Sequence, residues 1–301
     1  MVPLWYFLTA GFGFVTFASL FRPRLFRFLV ISSGVGCAVG YGLTFLGNLN
    51  THSFKAVSEP IRLREPPANF NIISQRIFEH LTESYNELGQ LDMGEEHVTV
   101  KPNVFAQMGV VDIDDVRKLW SSVIMPQLRL CMGGNALLNR MEMSTIAIEN
   151  DTVFCDIGSG VGNVCLQVLA ETHCKKVVGV EVIPSRQRNA TIAFERAKKY
   201  YPEYFDAKNA IFLQGDLVNY SSRLIEEKVN VIFTHSWMFD DELMRRLTEV
   251  VASVPTVFCV VTSRKLNDKL LADHPLKLVS RVHLRTDWND EAPFYVYRKQ
   301  L

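Results

Sequence analysis

The chain has 301 residues with 32 basic and 32 acidic side chains, so its net charge is zero and no global field draws it onto nucleic acid. Its length exceeds that of a usual single domain, which predicts one medium-sized domain with additional segments. The six cysteines form no C-x-x-C pair and no metal-ligand spacing, so we predict reduced core thiols, a reducing compartment and no metal site.

Residues 1–50 are predicted to form a membrane-anchoring helical hairpin. Two stretches, 1–21 and 28–50, carry no charged side chain, and each has about the twenty residues that a membrane-spanning helix needs. Arg22, Arg24 and Arg27 lie between them with a proline, and this positive turn favours the cytosolic or matrix side of a membrane.

Other interpretations of this segment stay open. A hairpin places both of its ends on one face of the membrane, so an arrangement in which one stretch does not span is an alternative. A signal peptide requires a positive start, which Met-Val-Pro-Leu lacks. A mitochondrial presequence is acid-poor, as this segment is, but is amphipathic and rich in Arg and Ser. A buried soluble hairpin would need a large apolar partner.

Residues 51–111 are predicted to be a linker and an amphipathic helix. Pro60 and Pro66 break any helix within 51–68. Apolar side chains then recur at helical spacing from Ile73 to Leu88. The next helix is predicted from Asp112 to Leu130, where early acids suit the positive helix start.

The segment from Val153 to Asn163 is the most informative motif in the chain. A short apolar strand ends in Asp156 and is followed by glycines on alternate positions, 158, 160 and 162. A dinucleotide fingerprint requires a glycine where Asn163 stands. The D-x-G-x-G-x-G pattern is instead typical of S-adenosylmethionine-dependent methyltransferases, so methyl transfer is the leading interpretation and hydride transfer the alternative.

The following segments predict an open α/β sheet. Further strands are predicted at 176–181, 212–216, 229–234 and 257–262, with helices at 184–200, 219–227 and 239–252 between them. The last two segments, 279–284 and 294–298, are joined by the turn-rich stretch 287–293 and predict a closing antiparallel hairpin. The predicted fold is therefore a class I methyltransferase Rossmann-like sheet over residues 112–301, preceded by the two apolar helices.

Acids at the ends of successive strands predict the cofactor site. Glu181 ends the second strand, where a carboxylate accepts hydrogen bonds from ribose hydroxyls. The third strand ends in Gly215 and Asp216, which suits an adenine amino group. The alternative for each acid is a surface charge at a strand end.

The residues after the fourth strand are predicted to line a channel for the methyl acceptor. Trp237 and Phe239 suit an aromatic slot for an aliphatic stem or a methylammonium group. His235 is a candidate to relay a proton, with a structural or exposed histidine as the alternative, and Thr234 completes the predicted catalytic set. The stretch is not an Asp/Asn-Pro-Pro-Tyr/Phe motif, which argues against methylation of adenine or glutamine.

The extended motif resembles the disruptor-of-telomeric-silencing family of histone lysine methyltransferases. The run from Phe154 to Val168, together with Cys174-Lys175 and Gly179-Val180-Glu181, carries the likeness, which covers about residues 112–265 and is strong over 153–181. The resemblance implies S-adenosylmethionine as cofactor. It implies cofactor contacts from Asp156, Gly158, Gly160, Gly162, Glu181 and Asp216. Ser159 and Gly215, which stand beside these residues, complete the predicted cofactor-binding set.

Two segments depart from the family pattern. The family has Asn-Asn-Phe-Ala-Phe after the fourth strand, where this chain has Thr-His-Ser-Trp-Met-Phe at 234–239. The family has Tyr-Gly-Glu before the first strand, where the nearest counterpart is Met-Gly-Gly-Asn at 132–135. The basic extensions with which the family grips the nucleosome are also missing.

The resemblance implies a protein lysine N-methyltransferase with a histone substrate and a nuclear setting, whereas residues 1–50 predict a membrane location. A methyltransferase acting on a membrane or mitochondrial protein is the first alternative. A catalytically weak cofactor-binding scaffold is the second.

Overall fold

The computed structural model describes residues 7–9, 14–16, 109–132 and 144–300. The chain divides into two units, Met1–Ala56 and Val57–Leu301. In the first unit, strands Phe7–Thr9 and Phe14–Thr16 pair antiparallel, where the sequence predicts a helix. Both segments contain aromatic and β-branched residues, which favour strands and explain this difference.

Most of the predicted membrane hairpin lies outside the described residues. The same holds for the predicted linker at 51–68 and the amphipathic helix at 73–88. Within the described ranges, no helix is both long and apolar enough to cross a membrane.

The second unit contains a seven-stranded sheet. Its strands are β1 Val153–Ile157, β2 Lys176–Glu181, β3 Asn209–Gln214, β4 Val231–Thr234, β5 Cys259–Thr262, β6 Leu276–Thr286 and β7 Asn289–Lys299. The spatial order is β3-β2-β1-β4-β5-β7-β6, with β1 to β5 parallel and β7 antiparallel to both neighbours. The order reverses between β1 and β4, so a crevice opens at their carboxyl ends. The predicted α/β sheet with a closing hairpin is confirmed.

Helices cover both faces of the sheet. They are α1 Ile113–Leu119, a π-helical turn Trp120–Ile124, α2 Met125–Met132, α3 Thr145–Asn150, α4 Asn163–Glu171, α5 Pro184–Tyr200, α6 Pro202–Phe205, a 3-10 turn Leu217–Tyr220, α7 Ser221–Glu226 and α8 Asp241–Ser253. Residues alternate between two cores: Phe154 packs with α1, α4 and α5, whereas Cys155 packs with α7 and α8. Because successive side chains of a strand point to opposite faces of the sheet, helices pack on both faces and form a three-layer sandwich with the sheet in the middle.

The described cysteines lie in these cores. Cys131, Cys155, Cys165, Cys174 and Cys259 are buried and free. Burial raises the pKa of the Cys155 and Cys165 thiols well above the usual range. They pack as small apolar side chains, as predicted.

The closing hairpin is longer than predicted. Strands β6 and β7 run to a two-residue turn, Asp287–Trp288, so residues 289–293 belong to β7 and not to a loop. Pro293 lacks an N–H donor. It pairs with His283 of β6, and its other side is free of pairing because β5 pairs only with residues 295–298. The extension places Trp288 at the tip of the hairpin.

Candidate active site

A cavity of about 530 Å³ opens at the carboxyl ends of the parallel strands. Most of its lining follows the carboxyl ends of the strands. It includes Gly158 and Gly160 after β1, Glu181 to Ile183 at the end of β2, Gly215 to Leu217 after β3, His235 and Trp237 to Asp240 after β4, and Trp288 at the hairpin tip. Gly109, Arg186 on α5 and Arg246 on α8 also line it.

The glycine-rich turn after β1 forms the floor of one end. Gly158, Gly160 and Gly162 have φ values of 80°, 54° and 84°, in the left-handed region that favours glycine. A Cβ on Gly162 would lie 2.9 Å from the Phe212 ring, and Gly162 is also the N-cap of α4. The turn therefore needs glycine for its backbone conformation and, at 162, for close packing.

Glu181 fastens this turn to the end of β2. Its buried carboxylate accepts a 2.8 Å hydrogen bond from the Gly160 N–H through Oε2 and another of 2.8 Å from the Ile183 N–H through Oε1. A carboxylate oxygen has two acceptor positions, so each keeps one for a further donor. Glu181 can therefore receive two hydroxyl groups without giving up its structural bonds.

Asp156 lies deeper than predicted. It is buried within β1 between Gly179 of β2 and Phe233 of β4, and it does not line the cavity. Burial, with a smaller contribution from the charge of Glu181, raises the pKa of the Asp156 carboxyl to about 8. The side chain is therefore mostly protonated at neutral pH when no cation lies near it.

Asp216 closes the far end of the cavity. Its Oδ1 accepts from the Val218 N–H at 3.2 Å and starts the 3-10 turn, and its Oδ2 lies 3.3 Å from Nη1 of Arg246 on α8. Gly215 before it has φ 141°, which lets the chain turn out of β3. Both residues line the cavity.

The segment after β4 forms the opposite end. Phe239 lies against the glycine turn, since a Cβ on Gly158 would be 3.7 Å from its ring Cζ. Trp237 is 46% exposed and lines the cavity mouth. Thr234, which the sequence predicts to be catalytic, is fully buried and does not line the cavity. No contact with the cavity supports a direct role for it in catalysis.

His235, in the segment after β4, contacts the β6–β7 hairpin and also Gly109, which precedes α1. Its Nδ1 lies 3.1 Å from the Gly109 carbonyl oxygen. Its ring lies 5.5 Å from the Phe294 ring and 6.0 Å from the Trp288 ring, between centroids. The indoles of Trp288 and Trp237 stack at 4.9 Å, so the cavity mouth is aromatic.

Residues 109–112 are pinned along the hairpin edge. Val111 bridges to Thr286, and the Asp287 N–H donates to the Val110 carbonyl at 3.1 Å. The Arg285 guanidinium pairs with Asp112 at 2.8 Å and with Asp115 at 3.1 Å. These bonds hold Gly109 against His235.

Eight of the twelve predicted site residues line this cavity. Those that line it are Gly158, Gly160, Glu181, Gly215, Asp216, His235, Trp237 and Phe239, whereas Asp156, Ser159, Gly162 and Thr234 do not. Sequence reasoning missed Gly109, Arg246 and Trp288, which also line it. Of these three residues, only Trp288 could have been noticed in the sequence, because a tryptophan within a polar, turn-rich stretch is unusual.

The strand order, closing hairpin and glycine-rich turn define the described C-terminal part as a methyltransferase-type α/β fold. Residues 135–275 match the family model described as "Histone methylation protein DOT1". A Caenorhabditis elegans protein described as "Histone-lysine N-methyltransferase, H3 lysine-79 specific" is 32% identical over 120 residues, which cover 38% of this chain and 12% of that protein. The matched segment is thus DOT1-like, and the resemblance predicted from the sequence is confirmed.

Solved structures with similar architecture are more distant. The methyltransferase domain of bacterial CtHen1-C is 15% identical, with a TM-score of 0.40 over 59% of this chain and 100% of that one. M. capricolum TrmK in complex with S-adenosyl-homocysteine is 7% identical, with a TM-score of 0.36 over 50% of this chain and 62% of that one.

Proposed function

We propose that the chain is an S-adenosylmethionine-dependent protein lysine N-methyltransferase, with a histone lysine as substrate and a chromatin setting. The observation that carries this proposal is a single cavity that joins two chemically different ends. One end has the glycine turn and Glu181, and the other has Phe239, Trp237 and Trp288. The DOT1-like segment supplies residues of both ends except Trp288.

The residues at the first end fit an adenosyl cofactor. Glu181 retains two acceptor positions for the ribose hydroxyls, and Asp216 accepts from an adenine amino group beside apolar Leu217. Gly158 and Gly160 let the methionine part approach the backbone. Asp156 ionises when a positively charged group approaches, because the cation offsets the burial that keeps it protonated. When bound, S-adenosylmethionine supplies a methyl group activated on a sulfonium.

The residues at the second end fit the aliphatic stem of a lysine. Phe239 borders the glycine turn, so an acceptor lying along it reaches the cofactor end of the cavity. Apolar walls disfavour an ammonium ion and so favour the neutral amine that must attack. Trp237 and Trp288 guide the stem at the mouth and exclude water from the reacting atoms.

A second candidate is a membrane-attached enzyme that methylates a non-histone membrane or mitochondrial protein. The uncharged stretches 1–21 and 28–50 favour it, since each has the length and composition of a membrane-spanning segment. Carbonate extraction of the full chain against a chain starting at residue 52 tests the attachment. Release of both into the soluble fraction would contradict it.

Radiolabelling separates these candidates. Nuclear and membrane fractions are incubated side by side with S-adenosylmethionine tritiated in the methyl group, with wild-type protein or with Gly160→Arg. The arginine side chain would enter the cavity at a backbone position with φ 54°, so labelling is expected to disappear. Labelled histones support the first candidate, and labelled membrane proteins support the second. Cofactor binding without any labelling would instead indicate a scaffold.

A further inference from the structure

We propose that the His235 imidazole is the hydrogen-bond acceptor for the amine that receives the methyl group. The inference rests on the proposed function and names the side chain that holds the reacting nitrogen. His235 lines the cavity at its aromatic end, next to Trp237 and Trp288.

The contact with Gly109 fixes which ring nitrogen carries the proton. A backbone carbonyl oxygen can only accept, so the 3.1 Å contact makes Nδ1 the donor. In the neutral ring, the lone pair then lies on Nε2. Nε2 is shielded from water, and no described residue donates a hydrogen bond to it. A buried acceptor without a donor destabilises the site, so Nε2 is suited to a ligand N–H.

The ring is held in place before any ligand arrives. A Cβ on Gly109 would lie 2.5 Å from ring Cε1, so the strand edge leaves no room for the ring to shift that way. Phe294 packs on it with centroids 5.5 Å apart. Trp288, whose ring centroid lies 6.0 Å from that of His235, and Trp237 form the cavity mouth and are 40% and 46% exposed. An acceptor fixed at this mouth is preorganised for one nitrogen.

The ring stays neutral at physiological pH. Burial lowers the pKa of His235, and the Gly109 hydrogen bond and the Asp287 charge raise it by less. Asp287, on the hairpin tip, is the charged side chain that acts on the ring from the elements packed against it. The other charged side chains in the cavity are Glu181, Arg186, Asp216, Asp240, Glu242 and Arg246.

The hydrogen bond strengthens as the methyl group moves. One N–H of the neutral amine donates to Nε2, and this leaves the nitrogen lone pair free to form the new N–C bond. The methyl carbon's bond to sulfur breaks with its electron pair going to sulfur, and the nitrogen becomes positive while keeping its protons. Donors on a cationic nitrogen make stronger hydrogen bonds, so the contact is tighter in the transition state than before it.

Nitrogen NMR tests the contact without methyl transfer. The full chain, labelled with ¹⁵N at histidine and saturated with S-adenosylhomocysteine, is titrated with n-butylamine as a mimic of the lysine side chain. The His235 signals are assigned by their loss in His235→Gln. We expect the unprotonated Nε2 resonance to move upfield on amine addition. The signals of His274, which lies two residues before β6 and does not line the cavity, should stay in place. An unmoved Nε2 resonance, or a proton on Nε2, would overturn the proposal.

Kinetics on the labelled acceptor fraction test the role in catalysis. We expect His235→Phe to lower kcat by about tenfold to a hundredfold, with cofactor affinity within about twofold of wild type. It should also remove the part of the acid limb that protonation of His235 causes and leave the part that follows deprotonation of the acceptor amine. His235→Gln, which keeps an acceptor oxygen, is expected to recover part of the rate without restoring the His235 part of the acid limb. A His235→Phe enzyme with wild-type kcat would overturn the role of His235. Absence of labelling by the wild-type protein would instead count against the proposed function.

Discussion

Asp156 gives the sharpest prediction about the stability of the fold. Its carboxyl has a pKa of about 8 in the folded chain and an ordinary value of 3.8 when exposed. Between these values the folded state holds the proton and the unfolded state does not, so the free energy of unfolding falls as pH rises. The slope from this one group is about 1.4 kcal/mol per pH unit. Between pH 5 and pH 7 the wild-type protein therefore loses up to about 3 kcal/mol through Asp156.

Asp156→Asn removes this loss, because an amide does not titrate. Chemical denaturation at several pH values, without cofactor, should show the variant gaining stability relative to wild type as pH rises, with the gain levelling off above pH 8. Groups that do not interact with Asp156 titrate alike in both proteins and cancel, whereas Glu181 is coupled to it. Asp206→Asn removes an exposed carboxyl and serves as the matched control, with a curve parallel to wild type. A constant difference between Asp156→Asn and wild type from pH 5 to pH 8 would refute the reasoning.

Four further substitutions test the cavity and the glycine turn beside it. Glu181→Gln places an amide against two backbone N–H donors, and we expect cofactor binding by calorimetry to weaken about tenfold to a hundredfold; unchanged affinity would contradict the ribose contact. Gly162→Ala forces a Cβ to 2.9 Å from Phe212 and should cost about 2–4 kcal/mol in denaturation. Gly158→Ala, with 3.7 Å of clearance, should cost less, and equal losses would disprove the packing argument. Trp288→Ala should raise the acceptor KM about tenfold with cofactor affinity unchanged, and a parallel loss of cofactor affinity would count against an acceptor role.

The sheet and the glycine turn could be predicted because their signals are local. Val153 to Ile157 is an apolar run of strand length, and glycines that need positive φ stand at fixed spacing after it. Acids that end parallel strands reach the same crevice, so Glu181 and Asp216 were found from their positions alone. Asp156 was placed at the cavity wall by the same logic, but it lies one residue before its strand ends and is enclosed by β2 and β4.

The acceptor end could be predicted only in part because its contacts are long-range. Gly109 meets His235 across 126 positions in the chain, and no spacing rule connects them. Trp288 reaches the mouth because β6 and β7 extend beyond the predicted strands. The extended pairing includes Pro293, which pairs with β6 on one side and faces no β5 residue on the other. The hairpin register decides this geometry, and the register is set by tertiary packing.

The most direct test of the account is the chemical identity of the transferred methyl group. Full-length protein is incubated with methyl-tritiated S-adenosylmethionine and the acceptor fraction that it labels, and the labelled protein is hydrolysed to amino acids. The account predicts label in N-methylated lysine, lost with Gly160→Arg under conditions where that variant keeps the wild-type circular dichroism spectrum. Label in another amino acid or in nucleic acid, or label that persists with Gly160→Arg, would contradict lysine methylation in this cavity.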